Sequence, residues 1–367
     1  MKITLKNTPE QVELVKAMAS RNRDVAYEAQ TALAEFIGPV LAEVINNAPA
    51  LSNLFTTLQY NADDNPSIPL DLYFDVSDED YVQVYSQSRA GGLPTSEVLP
   101  TSAELKIATY SLDSAVSFDR RYAAKSRMDV VAKTMTRVAQ EILLKQNTIS
   151  ANVIMKALAE ASTNGLSHVI AAQTADRFTL ADLNALSTRS KRIVTSFVGG
   201  TPDARQGRGM TDIIVSPEIV EELRAIAYNP INTKAAPQGA GGAVTNSNVQ
   251  TADVIAEEAY RAAGAPEFYG INVIELNEFG DGQKFNAIYG AAAGGGFTPA
   301  SDQIVVGIDR SREALIRPVA VDSENGGEFN LIADDQYSIR QNKIGYFGGL
   351  EEGRVVLDNR ALVGVTV

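Results

Sequence analysis

Ser126-Arg-Met-Asp-Val-Val-Ala-Lys-Thr-Met-Thr-Arg-Val-Ala-Gln-Glu-Ile142 carries apolar residues at Val131, Met135, Val138 and Ile142, and the pattern continues through Ile149 and Val153. Steps of three, four or seven residues keep such positions on one face of a helix. Ser126 stands where an N-cap belongs, Asp129 follows three residues later, and Asn164-Gly165 supplies the stop. The pattern predicts one helix over about 126–163. At ~1.5 Å per residue it is about 57 Å long, close to two domain diameters. A helix of that length is a beam rather than the packing element of one core.

Upstream of the beam the chain changes character. From Asn61 to Pro100, Ile68-Pro-Leu70, Tyr73, Val76, Tyr81, Val82, Val84 and Tyr85 are set among many acids. The turn residues of Ser86-Gln-Ser-Arg-Ala-Gly-Gly-Leu-Pro-Thr95 separate them from Leu105-Lys-Ile-Ala-Thr-Tyr-Ser-Leu-Asp113, which predicts a long two-stranded excursion. A lone hairpin is marginal in water, so this one needs a surface to lie on. Further upstream, Thr8-Pro-Glu-Gln11 is a helix start with cap, first-position proline and capping-box glutamine. The helix after it has a thin, Ala-rich stripe at Val12, Val15, Ala19, Ala26, Ala29, Leu33 and Phe36, and Gly38-Pro39 predicts a break or bend before Asn46. Such a stripe suits a segment lying across a surface rather than at the centre of a domain.

Downstream, strands alternate with helices. Asp212-Ile-Ile-Val215 reads as a buried strand, and Ser216-Pro-Glu-Ile-Val-Glu-Glu-Leu-Arg224 as a capped helix ending before Asn229-Pro230. Ala235 to Asn248 is a Gly/Ala/Asn loop, and Thr251 to Ala263 a helix. Strands are predicted at Ile271–Leu276, Phe285–Tyr289, Ile304–Ile308, Leu315–Val321 and Tyr337–Phe347. There is no internal repeat.

With 367 residues, 45% hydrophobic and 21% charged, the chain is long enough for roughly two lobes and has the composition of a folded protein. It contains no Cys and a single His, His168, which removes disulfides, thiolate metal sites and His-rich zinc sites. A formal net charge of -13 opposes sequence-specific nucleic-acid binding. Met1 to Thr8 lacks the apolar stretch of a secretory signal, and the longest uncharged runs, Ala235–Ala252 and Phe285–Ser301, are poor membrane spans. The expectation is a soluble chain, with no membrane partner.

Chemical motifs are missing. Gly290-Ala-Ala-Ala-Gly-Gly-Gly296 has neither the Walker Lys-Ser/Thr pair nor the dinucleotide fingerprint. Asp63-Asp-Asn65 and Asp322-Ser-Glu-Asn-Gly-Gly-Glu328 hold oxygen ligands without EF-hand order. His168 has no legible nucleophile or acid beside it and reads as structural, and the pairs Glu221-Glu222 and Glu351-Glu352 read as solvated faces. No cofactor is called for.

The order of elements, with the endings Ile304-Val-Val-Gly-Ile-Asp-Arg-Ser-Arg-Glu-Ala-Leu-Ile-Arg317, Ile339-Arg-Gln-Asn-Lys-Ile-Gly-Tyr-Phe347 and Leu350-Glu-Glu-Gly-Arg-Val-Val-Leu-Asp-Asn-Arg-Ala-Leu-Val363, resembles the major capsid proteins of tailed bacteriophages. Ser216-Pro-Glu-Ile-Val-Glu-Glu-Leu223 resembles the strand-to-helix step of that family's axial lobe. The resemblance implies an α+β capsid fold. Its parts are an N-terminal arm (1–60), an extended two-stranded loop (61–118), a peripheral domain with the long spine helix (119–204), an axial α/β domain (205–325) and a return to the peripheral domain (326–367). The implied work is self-assembly, as hexamers and pentamers, into an icosahedral shell around double-stranded DNA. The implied partners are portal, scaffolding and decoration proteins and packaged DNA contacted without sequence specificity. The implied place is the virion, assembled in the cytoplasm of a bacterial host. An encapsulin-type compartment shell is the rival within the fold, and a metal-dependent α/β enzyme the rival outside it.

Some relatives link subunits covalently through a loop lysine, but no Lys occurs from Asp71 to Glu104, so cross-linking is not expected. No long, highly charged scaffolding segment stands before the arm, so a separate scaffold is expected, unless such a segment was removed before residue 1. Asp78, Glu79, Asp80 and Glu97, with Arg89, make the excursion acidic, whereas Arg120, Arg121, Lys125 and Arg127 cluster before the beam. The resemblance lays this loop over the adjoining subunit, so these nine residues are expected at an inter-subunit contact. Gly239, Gly241 and Gly242 are expected near the capsomer axis, where glycine lets copies approach closely.

Overall fold

A computed structural model describes residues 8–46, 51–61, 64–69, 104–163, 165–193, 209–228, 267–268, 270–321, 328–334 and 341–367. In chain order the elements are α1 (Pro9–Met18), α2 (Arg23–Asn46), β1 (Thr56–Asn61), β2 (Ser67–Pro69), β3 (Glu104–Lys106), β4 (Thr109–Asp119), α3 (Arg120–Ala124) and α4 (Met128–Glu160). The next are β5 (Ser162–Thr163), β6 (Leu166–Ser167), β7 (Val169–Ala171), α5 (Leu180–Ile193), β8 (Asp212–Val215), α6 (Pro217–Tyr228), β9 (Glu267–Phe268) and β10 (Ile271–Glu275). The last are α7 (Lys284–Ala293), β11 (Ile304–Ile308), β12 (Leu315–Val321), β13 (Asn330–Asp334), β14 (Lys343–Gly353), β15 (Val355–Val356) and β16 (Leu362–Thr366). The fold is mixed helix and sheet. The described residues form two compact units, one from the chain up to residue 69, 104–150 and 315–355, the other from 151–314 and 356–367.

The first unit is built on β14. β4 pairs antiparallel along its whole length, from Lys343↔Asp119 to Gly353↔Thr109. β13 takes the other edge from Asn330↔Gly349 to Asp334↔Gly345, and β12 meets it at Val319↔Glu352. β1 runs parallel to β12. Period-two alternation puts Ile344, Tyr346 and Leu350 on one face, where they join Met135, Val138 and Ile142 of α4 and Leu33, Ile37 and Leu41 of α2 in one core. Burying each such side chain contributes about 1.5–3 kcal/mol.

The arm departs from expectation in two ways. Thr8 Oγ1 accepts from Gln11 N at 3.4 Å as foreseen, but the helix breaks at 19–22 and then runs through Pro39. Its stripe is not laid on an outer surface either. Val15, Met18, Leu33, Ile37, Leu41 and Ile45 are core residues of the first unit, because Ile37, Leu41 and Ile45 extend the Ala-rich stripe with large side chains.

The long helix is present as one element, shorter at both ends than expected. Ser126 is not its cap: its φ of 53° is left-handed, whereas an N-cap needs extended backbone. Val131, Met135, Val138 and Ile142 are buried as read, while Ile149 and Val153 are half-buried, and the buried stripe continues instead through Gln146 and Ser150. That substitution of polar for apolar residues marks the site described below.

The second unit holds a sheet in the order β7-β16-β11-β8-β10-β9. β8 and β11 are buried along their full length, and α6 is capped as read, with Ile219 N donating to Ser216 Oγ at 3.2 Å. Phe285–Tyr289 is helix rather than strand. Its β-forming residues lead into Ala-rich sequence, and Gly294 closes α7 in the left-handed conformation at φ 67°. The Gly-rich run is therefore a helix stop. The expected excursion tip, the loop 235–248, the helix 251–263 and residues 335–340, with the first part of the strand expected at Tyr337–Phe347, lie outside the described residues; the excursion's base, β2 against β3, is antiparallel as expected.

Candidate assembly surfaces and a buried charge cluster

Of the expected contact residues, Asp78, Glu79, Asp80, Arg89 and Glu97 lie outside the described residues, as do Gly239, Gly241 and Gly242. The basic cluster sits on α3 and the turn after it. Asp119 caps α3, accepting from Arg121 N at 2.9 Å, and its carboxylate also takes Arg121 Nη2 at 2.9 Å. The hydrogen bonds from Arg121 hold the Asp119 carboxyl below the usual carboxylate range. Arg120 is half-buried and its Nε donates to Ala19 O at 3.3 Å, tying α3 to the end of α1. Lys125 and Arg127 are exposed. The four cations therefore do not act alike: Arg120 and Arg121 are engaged within the chain, and Lys125 and Arg127 face outward.

Glu352 is the group that sequence reasoning placed on a solvated face and the structure buries completely. Its Oε2 accepts from Arg317 Nε at 2.7 Å and Gln146 Nε2 at 3.0 Å. Its Oε1 accepts from Arg354 Nη2 and from Tyr110 OH, both at 2.9 Å. Arg354 also donates to Ser150 Oγ, and its guanidinium lies 5.3 Å from the Phe55 ring centre, a cation–π distance. Burial pushes the Glu352 carboxyl up, but the Arg354 and Arg317 charges and hydrogen bonds outweigh it and hold the acid below its ordinary value. Burial, helped by Glu352, pushes the Tyr110 phenol up to about 12. The cluster fastens α4, β4, β12 and β14 together. Its signal was in the sequence: Glu352 falls on the same alternate positions of β14 as Ile344, Tyr346 and Leu350, and Gln146 and Ser150 continue the α4 stripe by steps of four.

Glu351, by contrast, is half-exposed, accepting from Thr109 Oγ1 at 2.8 Å and Tyr60 OH at 3.2 Å. Glu222 is also employed rather than merely solvated, accepting from Phe178 N at 2.6 Å.

In the second unit His168 is fully buried, with Nδ1 3.1 Å from Asn359 O and 3.0 Å from Leu362 O. Both neighbours are acceptors, so Nδ1 carries a proton and donates. Burial lowers its pKa. The ion pairs Arg312–Asp358 (3.0 Å), Arg360–Asp358 (2.9 Å) and Arg310–Asp212 (3.4 Å) lie around two short 3-10 turns. Among the described residues no group of three His, Asp or Glu is placed to hold a metal ion, and no helix is long and apolar enough to cross a membrane.

Apolar side chains remain outside the cores. Phe36 and Val40 are exposed one turn apart on α2, Leu144 is exposed on α4, and Ile332 and Phe347 are exposed opposite one another on β13 and β14. β4 has an open side: among the described residues only β14 pairs with it.

No protein-family model matches the sequence, and no curated protein matches it. Solved structures with a similar fold include capsids and an encapsulin shell. They include a virus-like particle from Pyrococcus furiosus (TM-score 0.43, 12% identity, 91% of this chain and 99% of that one). The Microbacterium phage Oxtober96 structure is similar at TM-score 0.48 and 12% identity over 86% of this chain and 90% of that one. The capsid of an empty GTA particle is similar at TM-score 0.49 and 11% identity over 87% and 90%.

Proposed function

We propose that this chain is a shell subunit, the major capsid protein of a tailed bacteriophage, which assembles with copies of itself as hexamers and pentamers around double-stranded DNA. The observation that carries the reading is the order of elements on one chain. A helical arm comes first, then two short paired strands from which the chain leaves at residue 69 and returns at 104, then a 33-residue helix, then most of a second sheet, before the chain returns to the sheet it began with β1 and β4, as the family resemblance implies. Open β-edges and exposed apolar residues give such a subunit surfaces that further copies can cover. Portal, scaffolding and decoration proteins are its further partners, and the virion, assembled in the bacterial cytoplasm, its place.

The acidic segment containing Asp78, Glu79, Asp80 and Glu97 docks, in this reading, on the basic cluster of the adjoining subunit, and Lys125 and Arg127 are the cations free to receive it. Gly239, Gly241 and Gly242 line the capsomer axis. Expression followed by electron microscopy tests the reading: closed particles support it and dispersed monomers overturn it. Nuclease-protected DNA in native particles identifies a virion, whereas particles enclosing protein identify an encapsulin-type compartment. Lys125→Glu with Arg127→Glu leaves the subunit folded and impairs assembly at low salt, with rescue by Asp78→Lys and Glu79→Lys.

A further inference from the structure

β4 is an 11-residue strand paired along one side only among the described residues. Long free edges recruit further strands unless charge, proline or a bulge blocks them. β4 has no Lys or Pro, its one exposed charge is Asp113, and its continuous register with β14 leaves no bulge. Its two faces differ. On the core face Leu112 and Val116 are only half-buried, although Phe118 on the same face is covered. On the other face Ser111, Asp113 and Ala115 are exposed. A strand completing this edge would place apolar residues beside Leu112 and Val116, and small or cationic ones beside Asp113.

Two stretches of the chain outside the described residues have that pattern; Gln336-Tyr-Ser-Ile-Arg340 is held between β13 and β14 at both ends, which leaves the one at the chain's start. Lys2-Ile-Thr-Leu-Lys6 alternates strictly, with Ile3 and Leu5 on one side and Lys2, Thr4 and Lys6 on the other. With Ile3 and Leu5 beside two neighbouring core-face positions from Tyr110 to Val116, a Lys or Thr stands alongside Asp113. The excursion fits worse, because Asp71, Asp75, Asp78, Glu79, Asp80 and Glu97 would bring like charge to Asp113. We infer that the open edge of β4 is completed by the segment Met1–Asn7 of a second copy of this chain, added as a strand. Supply by a second copy rests on the shell reading.

The native chain has no Cys, so introduced cysteines report without background. Laterally paired strand residues stand about 4.5–5.5 Å apart at Cα, within disulfide reach. A tagged chain carrying Thr4→Cys is co-expressed with an untagged chain carrying one cysteine on β4 and mildly oxidised. The expected result is inter-chain disulfides with Ser111→Cys, Asp113→Cys or Ala115→Cys, and none with Leu112→Cys or Ser114→Cys. In the chain bearing Thr4→Cys, Lys2→Glu with Lys6→Glu lowers the yield severalfold. No disulfide at any position, equal yields on both faces, or a bond formed only within a single doubly substituted chain overturns the inference. Microscopy of the same samples separates the two ideas: particles without disulfides overturn the added strand alone, and dispersed subunits overturn the shell reading beneath it.

Discussion

In the first unit Glu352 lies fully buried against Arg317 and Arg354, whereas β8 and β11 at the centre of the second unit's sheet bury Ile213, Ile214, Val305, Val306 and Ile308 and leave the charges to the strand ends. The two sheets therefore fail in different ways. An apolar strand loses stability in proportion to the volume removed. A buried ion cluster depends on being complete, because taking away one charge strands the others out of water.

The sharpest way to break the contrast is Glu352→Ala, which leaves two guanidinium groups facing each other. We expect a loss of about 3–5 kcal/mol by denaturant unfolding. Replacing the whole set, as Arg317→Met, Glu352→Leu and Arg354→Met, costs far less, since an apolar set of similar volume removes the desolvation penalty as well. A small loss in the single variant would mean that the cluster is idle. Acid probes the same group. Its folded pKa lies below the ordinary carboxylate value, so its contribution is full above the unfolded value of about 4.3 and is lost as pH falls through the folded one. Glu352→Gln removes that acid-dependent part.

A middle-sized effect sharpens the packing side. A Cβ on Gly348 of β14 would run into the ring of Phe329, and one on Gly307 of β11 into Met210 and, at 2.9 Å, Val363 Cγ2. Gly348→Ala is expected to cost about 1–3 kcal/mol as an overpacked site. Gly307→Ala costs less, because a methionine side chain re-routes more easily than a ring. Pairing Gly348→Ala with Phe329→Leu should recover much of the loss in a thermal melt, and failure of that rescue would point to the backbone instead.

What could be read beforehand follows the same divide. Long periodic runs such as Val131 to Ile142, and caps such as Thr8 and Ser216, rest on local geometry and were legible. Glu352 shares the alternate positions of Ile344, Tyr346 and Leu350, so its inward face was legible, but that a carboxylate could be buried there was not, because apart from Arg354 its partners Gln146, Tyr110 and Arg317 come from α4, β4 and β12, distant in sequence. The pairing of Asp119 with Arg121 is local and has a parallel: an Asp two residues before an Arg also caps the turn at Asp358, accepting from Arg360 N. Phe285–Tyr289 misled because its β-forming composition competes with the alanines that follow and the glycine that ends them.

The smallest expected effect belongs to the second unit and is the easiest to assign. His168 is the only histidine, so it is the only side chain whose unperturbed pKa lies near 6.5. Burial holds its folded pKa below that value, against the hydrogen bonds to Leu362 O and Asn359 O. The unfolded chain therefore takes up the proton first as pH falls. Stability is full above about 6.5 and declines as pH drops toward the folded pKa, the slope having the sign of a group that binds more protons when unfolded. Melting temperature measured between pH 7.5 and 5 should fall gently with acid. His168→Asn can still donate toward Asn359 and Leu362 but cannot become charged, so its melting temperature should be flat over the same range. A variant that keeps the full slope would assign it to another group and leave His168 a packing residue only.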